Sequence, residues 1–152
     1  EQDGVWKLDA RFNKTNLLER IKLIGKLAKN ISVTNFEVRE YIQKQLPKLP
    51  VASFVYFDPP YYHKGASLYM NAFNPKDHSV LAKDIENKVR QPWIVTYDNT
   101  SEISEMYGQY CQTDFSLKYS AQNHYSGSEL MIFKHGLKIP KTVFKTRKCL
   151  ST

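Results

Sequence analysis

The chain has 152 residues, of which 22 are basic and 15 are acidic, and it carries a net charge of +7. A hydrophobic content of 41% excludes an intrinsically disordered chain, and the length is enough for a single domain over residues 1–152 with its own core. No apolar stretch is long enough to cross a bilayer, so we expect no membrane partner, whereas the basic excess favours a polyanion.

Two helices and a short strand are predicted in the first third of the chain. The apolar spacing of residues 16–29 predicts a helix, and residues 31–34 follow it as a short strand. Thr34 and Glu37 have the spacing of a capping box, which predicts a second helix over residues 34–46. Prolines end this helix because they cannot continue its hydrogen bonding.

The later elements continue the alternation of strands and helices. Asn74 is predicted as an N-cap with Pro75 at the first helical position. In chain order we predict a strand over 54–57, a helix over 74–90, a strand over 93–97, a helix over 101–107, and strands over 115–119 and 129–133. This order predicts an α/β fold with a mostly parallel sheet and a C-terminal antiparallel hairpin.

The most informative motif for function is Asp58-Pro59-Pro60-Tyr61, which directly follows the predicted buried strand 54–57. Prolines donate no backbone hydrogen bond and fix φ, so carbonyl oxygens here are available to a ligand. The acid adds a second acceptor, the tyrosine adds a flat ring, and ligands of open α/β sheets bind at the carboxyl ends of strands. Two acceptors beside a ring suit the exocyclic amino group of a planar base. The alternative is a sharp strand exit with Tyr61 packed on the surface.

The chain resembles the C-terminal two-thirds of a Dam-like adenine-specific DNA methyltransferase. The Asp-Pro-Pro-Tyr motif is the most specific part of the resemblance, and the other stretches occur in the order found in the family. The similar stretches are residues 11–13 (Arg-Phe-Asn), 34–37 (Thr-Asn-Phe-Glu), 54–61, 93–99, 117–121 and 127–133.

The resemblance implies an incomplete Rossmann-like methyltransferase sheet and an enzyme that transfers a methyl group from S-adenosylmethionine to a flipped adenine in DNA. Asp58 and the Pro59 carbonyl would accept the two hydrogens of the adenine amine, and Tyr61 would stack on the base. The implied site residues are Asp58, Pro59, Pro60 and Tyr61 for catalysis; Asn35, Phe36 and Asp58 for the cofactor; and Arg11, Asn13, Lys14, His63 and Lys64 for DNA.

One part of the family pattern is missing from this sequence. The family has a glycine-rich loop after its first strand, whereas the six glycines here are scattered and form no Gly-x-Gly pair after a strand. The chain begins with Glu1 rather than methionine, which favours a fragment over half of a split enzyme or a degenerate relative. We therefore expect the isolated chain to be inactive, and to self-associate or pair with a missing N-terminal half.

Two alternative functions remain open at this point. An RNA amino-methyltransferase would use a similar Pro-Pro-aromatic motif. A non-catalytic nucleic-acid-binding module would need no glycine-rich loop. Either way, we expect the cytoplasm of a bacterial or phage-infected cell as the location.

Four further features allow a structural or a functional interpretation. Asp98, at a strand end, would support the pocket or cap the next helix, and we expect the cap. His78 is expected to be exposed or capping. The six basic residues within 134–148 would form a solvated tail or contact phosphates. Cys111 and Cys149 lie far apart without metal-ligand spacing, so we expect neither a disulfide framework nor a metal site.

Overall fold

A computed structural model describes residues 12–63, 72–118, 126–140 and 146–148. The chain divides into two compact units, Glu1–Asn35 and Phe36–Thr152. The Asp-Pro-Pro-Tyr motif and the whole sheet belong to the second unit. The candidate site is therefore described from the second unit.

The first unit contains one α-helix, α1, over Lys14–Lys26, followed by a 3₁₀ turn over Ala28–Asn30. The side chain of Asn13 caps α1 by accepting a hydrogen bond from the amide of Asn16 at 3.1 Å. The predicted helix was therefore placed two residues late. The predicted strand over 31–34 was wrong, because these residues lie outside the sheet.

The second unit opens with an irregular helix, α2, which begins at Val38–Glu40 and continues through a π-helical turn, Tyr41–Gln45, and a 3₁₀ turn, Leu46–Lys48. Its N-cap is Glu37, whose carboxylate accepts from two backbone amides at 2.9 and 3.0 Å. Thr34 does not cap it, because the first helical residue lies four positions further on. The predicted helix exists, but its predicted cap was wrong.

The remaining elements were predicted to within a few residues, except the last strand. In chain order they are β1 Val55–Phe57, α3 Pro75–Lys88, β2 Trp93–Asp98, α4 Ser101–Met106, β3 Cys111–Lys118, β4 Ser126–Phe133 and β5 Thr146–Lys148. Asn74 caps α3 in a capping box with Asp77, and Pro75 occupies the first turn, as predicted. β5 was not predicted, because it is a three-residue strand with no alternating apolar pattern.

The sheet has the strand order β1-β2-β4-β3-β5. β1 pairs with β2 in parallel, whereas β2–β4, β3–β4 and β3–β5 are antiparallel. The mixed α/β fold and the antiparallel hairpin are confirmed, but the expectation of a mostly parallel sheet was wrong for the described strands. Connection lengths alone did not show that β4 inserts between β2 and β3, which makes three of these four pairings antiparallel.

The hydrophobic core lies on one face of the sheet. Alternate residues of β2, namely Trp93, Val95 and Tyr97, are at most 1% exposed, and β4 adds Leu130 and Ile132 from the neighbouring strand. The helices cover this face with further buried side chains: Ile42, Leu46, Leu81, Ile85 and Ile103. The core therefore fixes β1 and β2 side by side, with their carboxyl ends at one edge.

Charged side chains make polar contacts in α3 and in the segment that follows it. Buried Asp84 accepts hydrogen bonds from Arg39 at 2.7 Å and from Lys88 at 2.5 Å. Burial alone would raise the pKa of Asp84, but these two cations outweigh it and lower the pKa. Lys134 donates to the backbone carbonyls of residues 89–91 at 2.7–3.0 Å, so its ammonium is engaged within the protein rather than with phosphate.

Cys111, at the start of β3, is disulfide-bonded. The expectation against a disulfide framework, which rested on the wide separation of the two cysteines, was therefore wrong in that Cys111 is bonded. The only other cysteine, Cys149, lies outside the described residues. The separation of the two cysteines in sequence was a poor guide to disulfide formation, because the fold brings distant segments together. β3 pairs with β5, more than thirty residues away, with Gln112 opposite Lys148.

His78 is fully buried, so the expectation of an exposed or capping histidine was also wrong. Its Nδ1 lies 3.0 Å from the hydroxyl of Tyr97, and its ring contacts those of Tyr62 and Phe73. Within the described part of the chain, its Nε2 has no hydrogen-bond partner. Burial lowers the pKa of His78 below its ordinary value of 6.5, which favours the neutral imidazole.

We expect His78 to make stability depend on pH. Below about pH 6.5 the unfolded chain binds a proton that the buried imidazole resists, so the free energy of unfolding should fall as the pH decreases. Above that value this contribution should be constant. Urea denaturation between about pH 5 and 8 measures the free energy of unfolding at each pH. The contribution of His78 should have a limiting slope of about 1.4 kcal/mol per pH unit.

The variant His78→Asn should lose this slope, because asparagine does not titrate. His135→Asn, which replaces an exposed histidine of the same unit, serves as the matched control and should retain it. An unchanged slope in His78→Asn would contradict the assignment.

Candidate active site

The carboxylate of Asp58 lies directly after β1 and is exposed. Its Oδ1 accepts a hydrogen bond from the hydroxyl of Thr96 on β2 at 3.0 Å. Thr96 itself is buried and lies 2.7 Å from the hydroxyl of Tyr56. The side chain of Asp58 is therefore held by a hydrogen bond from the neighbouring strand, while the residue stays exposed.

Tyr61 is held from a different strand. Its hydroxyl donates to Oε1 of Glu129 at 2.8 Å, across 68 positions of sequence. Glu129 is buried on β4 and lies opposite Asp98 of β2 in the strand register. The phenol is thus fixed at the same edge of the sheet as Asp58.

Asp98 holds the two residues that follow the motif. Its carboxylate accepts from the backbone amide of Tyr62 at 2.7 Å and from that of His63 at 3.1 Å. The next helix, α4, is capped instead by Thr100, whose hydroxyl accepts from the amide of Ile103. The expected capping role was wrong, and Asp98 is a supporting residue of the site. Its place at the carboxyl end of a strand was the only sequence signal for this role.

A cleft of about 300 Å³ opens beside the motif. Asp58, Pro59 and Pro60 line it together with apolar side chains that include Phe73 and Leu81. Tyr61 is not among the described residues that line it. A neighbouring cleft of about 200 Å³ shares part of this wall and adds charged side chains. These are Glu37, Arg39, Lys76 and Asp77.

Phe36 and His63 are predicted site residues of the second unit, and Asn35 is one of the first unit. Phe36 is 42% exposed and its ring lies 6.3 Å from that of Tyr41, whereas Asn35 belongs to the first unit. His63 is exposed, with its Nε2 3.6 Å from Glu102.

The predicted DNA-contacting residues near the N-terminus lie in the first unit, where Asn13 is a helix cap and Lys14 opens α1. Arg11 and Lys64 lie outside the described residues. The structure therefore brings Asp58, Pro59, Pro60, Tyr61 and His63 together, and it does not describe the DNA-contacting set as a whole.

The comparison with known families decides between the functions considered above. The model of the D12 class N6 adenine-specific DNA methyltransferase family matches residues 6–124, well over half of the chain and including the whole motif. The chain belongs to this family. No curated protein matches it. Methyltransferases of this D12 family act on adenine in DNA and use S-adenosylmethionine as the methyl donor, so the family selects DNA over the RNA alternative.

The residues around the motif fit the base-like and cationic parts of S-adenosylmethionine. The cleft offers apolar walls for a flat ring and the Asp58 carboxylate for a positive charge. The charged neighbouring cleft suits polar groups of a larger ligand. No group of three or more metal-ligating side chains occurs within the described ranges, nor is any helix there long and apolar enough to span a membrane.

Proposed function

We propose that the Asp58–Tyr61 segment of this D12 methyltransferase is the site that binds the adenine amine. Asp58 and the Pro59 carbonyl accept its two hydrogens, while Pro60 fixes the turn. The amine lone pair is delocalised into the purine ring, and two acceptors localise it and orient the nitrogen for attack. When bound, S-adenosylmethionine supplies the electrophilic methyl group.

The observation that carries this proposal is that the motif lines a cleft, with Asp58 exposed and its Oδ1 held by the hydroxyl of Thr96. An ordinary strand exit needs no such anchor. The test is methyl transfer by the Asp58→Ala variant of the full-length protein, which we expect to be lost.

We propose that Tyr61 stacks on the extruded adenine. Stacking of a base on an aromatic ring is worth about 1–3 kcal/mol, which offsets part of the few kcal/mol needed to flip the base out of the duplex. The hydrogen bond to Glu129 supports this role because it limits rotation of the phenol. Within the described residues, the ring does not line the cleft. Stacking therefore requires the base to enter from the open side of the motif.

For the cofactor we propose Asn35, Phe36 and Asp58, and for DNA Arg11, Asn13, Lys14, His63 and Lys64. The exposed ring of Phe36 supports its part, since an exposed aromatic face suits an adenine ring. The cations would contact phosphates, which adds affinity without sequence information. We also propose that the sheet is an incomplete part of a Rossmann-like methyltransferase sheet, in one domain over residues 1–152.

We propose that this chain acts together with a further segment that carries the glycine-rich loop, and that without it the chain is inactive and self-associates. Exposed apolar side chains on α1 support this, with Ile21, Leu23 and Ile24 each about 60% exposed. We expect analytical ultracentrifugation to show association that grows with concentration.

Replacing Ile21 and Ile24 together by glutamine should weaken this association, because the two side chains share one face of the helix. Thr15→Gln, an exposed polar change on the same helix, is the control. A native chain that stays monomeric at high concentration would contradict self-association.

The biological setting is also a proposal. An enzyme that modifies DNA has to reach it, so we place this one in the cytoplasm of a bacterial or phage-infected cell, in a role such as restriction-modification.

A further inference from the structure

Tyr56, Thr96 and Asp58 form a chain of hydrogen bonds that leads from one strand to the next and back. The Tyr56 hydroxyl lies 2.7 Å from Thr96 Oγ1, and that hydroxyl lies 3.0 Å from Asp58 Oδ1. Tyr56 and Asp58 flank Phe57 at the end of β1, whereas Thr96 is on β2.

The direction of these hydrogen bonds follows from the donors available. The Asp58 carboxylate accepts, so Thr96 uses its single hydroxyl hydrogen on Asp58. The Tyr56 hydroxyl must then donate to the oxygen of Thr96. Tyr56 thus donates to Thr96 and Thr96 donates to Asp58, which fixes the rotation of the threonine hydroxyl.

Thr96 is unusual among the residues of its strand. It is only 3% exposed, yet it lies on the opposite face of the sheet from Trp93, Val95 and Tyr97, the core positions of β2. A buried hydroxyl needs a partner, and both of its partners here belong to the strand end that carries the motif. Valine would fill the same space if packing were all that this position required.

We propose that Thr96, oriented by Tyr56, is a positioning residue for methyl transfer. It holds Oδ1 of Asp58 and so aims the other carboxylate oxygen, Oδ2, at the amine of the target base. This inference rests on the role of Asp58 proposed above. Tyr56 also lines the cleft, so its ring forms part of the wall while its hydroxyl serves the threonine.

The test compares Thr96→Val with Thr96→Ser in the full-length protein. Valine keeps the shape and removes the hydroxyl, whereas serine keeps the hydroxyl. We expect Thr96→Val to lower kcat by up to about 10²-fold with KM for DNA nearly unchanged, because misplacing a reacting group affects the chemical step more than binding. Thr96→Ser should restore kcat to within a few-fold of the native value.

Two further variants guard against a merely structural effect. Thr113→Val removes the hydroxyl of another buried threonine, opposite Met131 on the other side of β4, and should leave kcat unchanged. Tyr56→Phe keeps the ring and removes the first donor. It should lower kcat by a smaller factor, and it provides the test if Thr96→Val does not fold.

A spectroscopic measurement reports on the carboxylate without turnover. In native protein labelled with ¹³C at aspartate, the Asp58 carboxyl should give one narrow resonance, and Thr96→Val should shift or broaden it. Native kcat in Thr96→Val would overturn the inference, as would equal losses in the valine and serine variants. If Asp58→Ala were fully active, the proposed function itself would fail, so the two failures are distinguishable.

Discussion

Replacing Asp58 by alanine should abolish methyl transfer in the full-length enzyme while leaving the fold largely intact. The change removes one of the two acceptors proposed for the adenine amine, and losing one well-placed group of this kind costs about 10²–10³-fold in kcat. Loss of the negative charge should add to the effect, since the amine becomes positive as it takes the methyl group. The rate of methyl transfer from labelled S-adenosylmethionine to duplex DNA measures the loss.

The fold should survive because Asp58 is exposed and, among the residues that the structure describes, its carboxylate accepts a hydrogen bond only from Thr96. We expect a loss of no more than about 1 kcal/mol in the free energy of unfolding. Glu105→Ala, an exposed acid on α4, is the matched control for removing a surface charge. Native-like turnover by Asp58→Ala would rule out the proposed site.

Asp98→Ala should have the second-largest effect, although Asp98 is not proposed to touch the substrate. The change leaves the amides of Tyr62 and His63 without the carboxylate that holds the chain just after the motif. A shift of about 1 Å in a reacting group costs on the order of 10²-fold in rate, so we expect kcat to fall by about that factor. The free energy of unfolding should fall by about 1–3 kcal/mol.

Hydrogen exchange separates this effect from a general loss of stability. The amides of Tyr62 and His63 should exchange faster in Asp98→Ala, whereas amides in the core of β2 should change much less. Asn99→Ala is the control, because it removes the neighbouring hydrogen bond to Ser128 and leaves both amide contacts in place. Unchanged exchange at both amides would show that Asp98 does not hold this segment.

The sequence alone determined the features that depend on neighbours in the chain. Asn74 and Pro75 predict the start of α3, because an N-cap side chain bonds backbone amides no more than three residues away. Asp58, Pro59 and Pro60 follow a strand directly, so their position at its carboxyl end was predictable. The same motif pointed to the methyltransferase family that the comparison then identified.

Only the tertiary structure decided the contacts that join distant residues. Thr96 reaches Asp58 across 38 positions because β1 pairs with β2, and Glu129 reaches Tyr61 across 68 positions because β4 inserts beside β2. Neither residue carries a local signal for its role. The burial of His78 and the pairing of β5 were missed for the same reason, since strand register and core packing are set by the whole sheet rather than by any short segment.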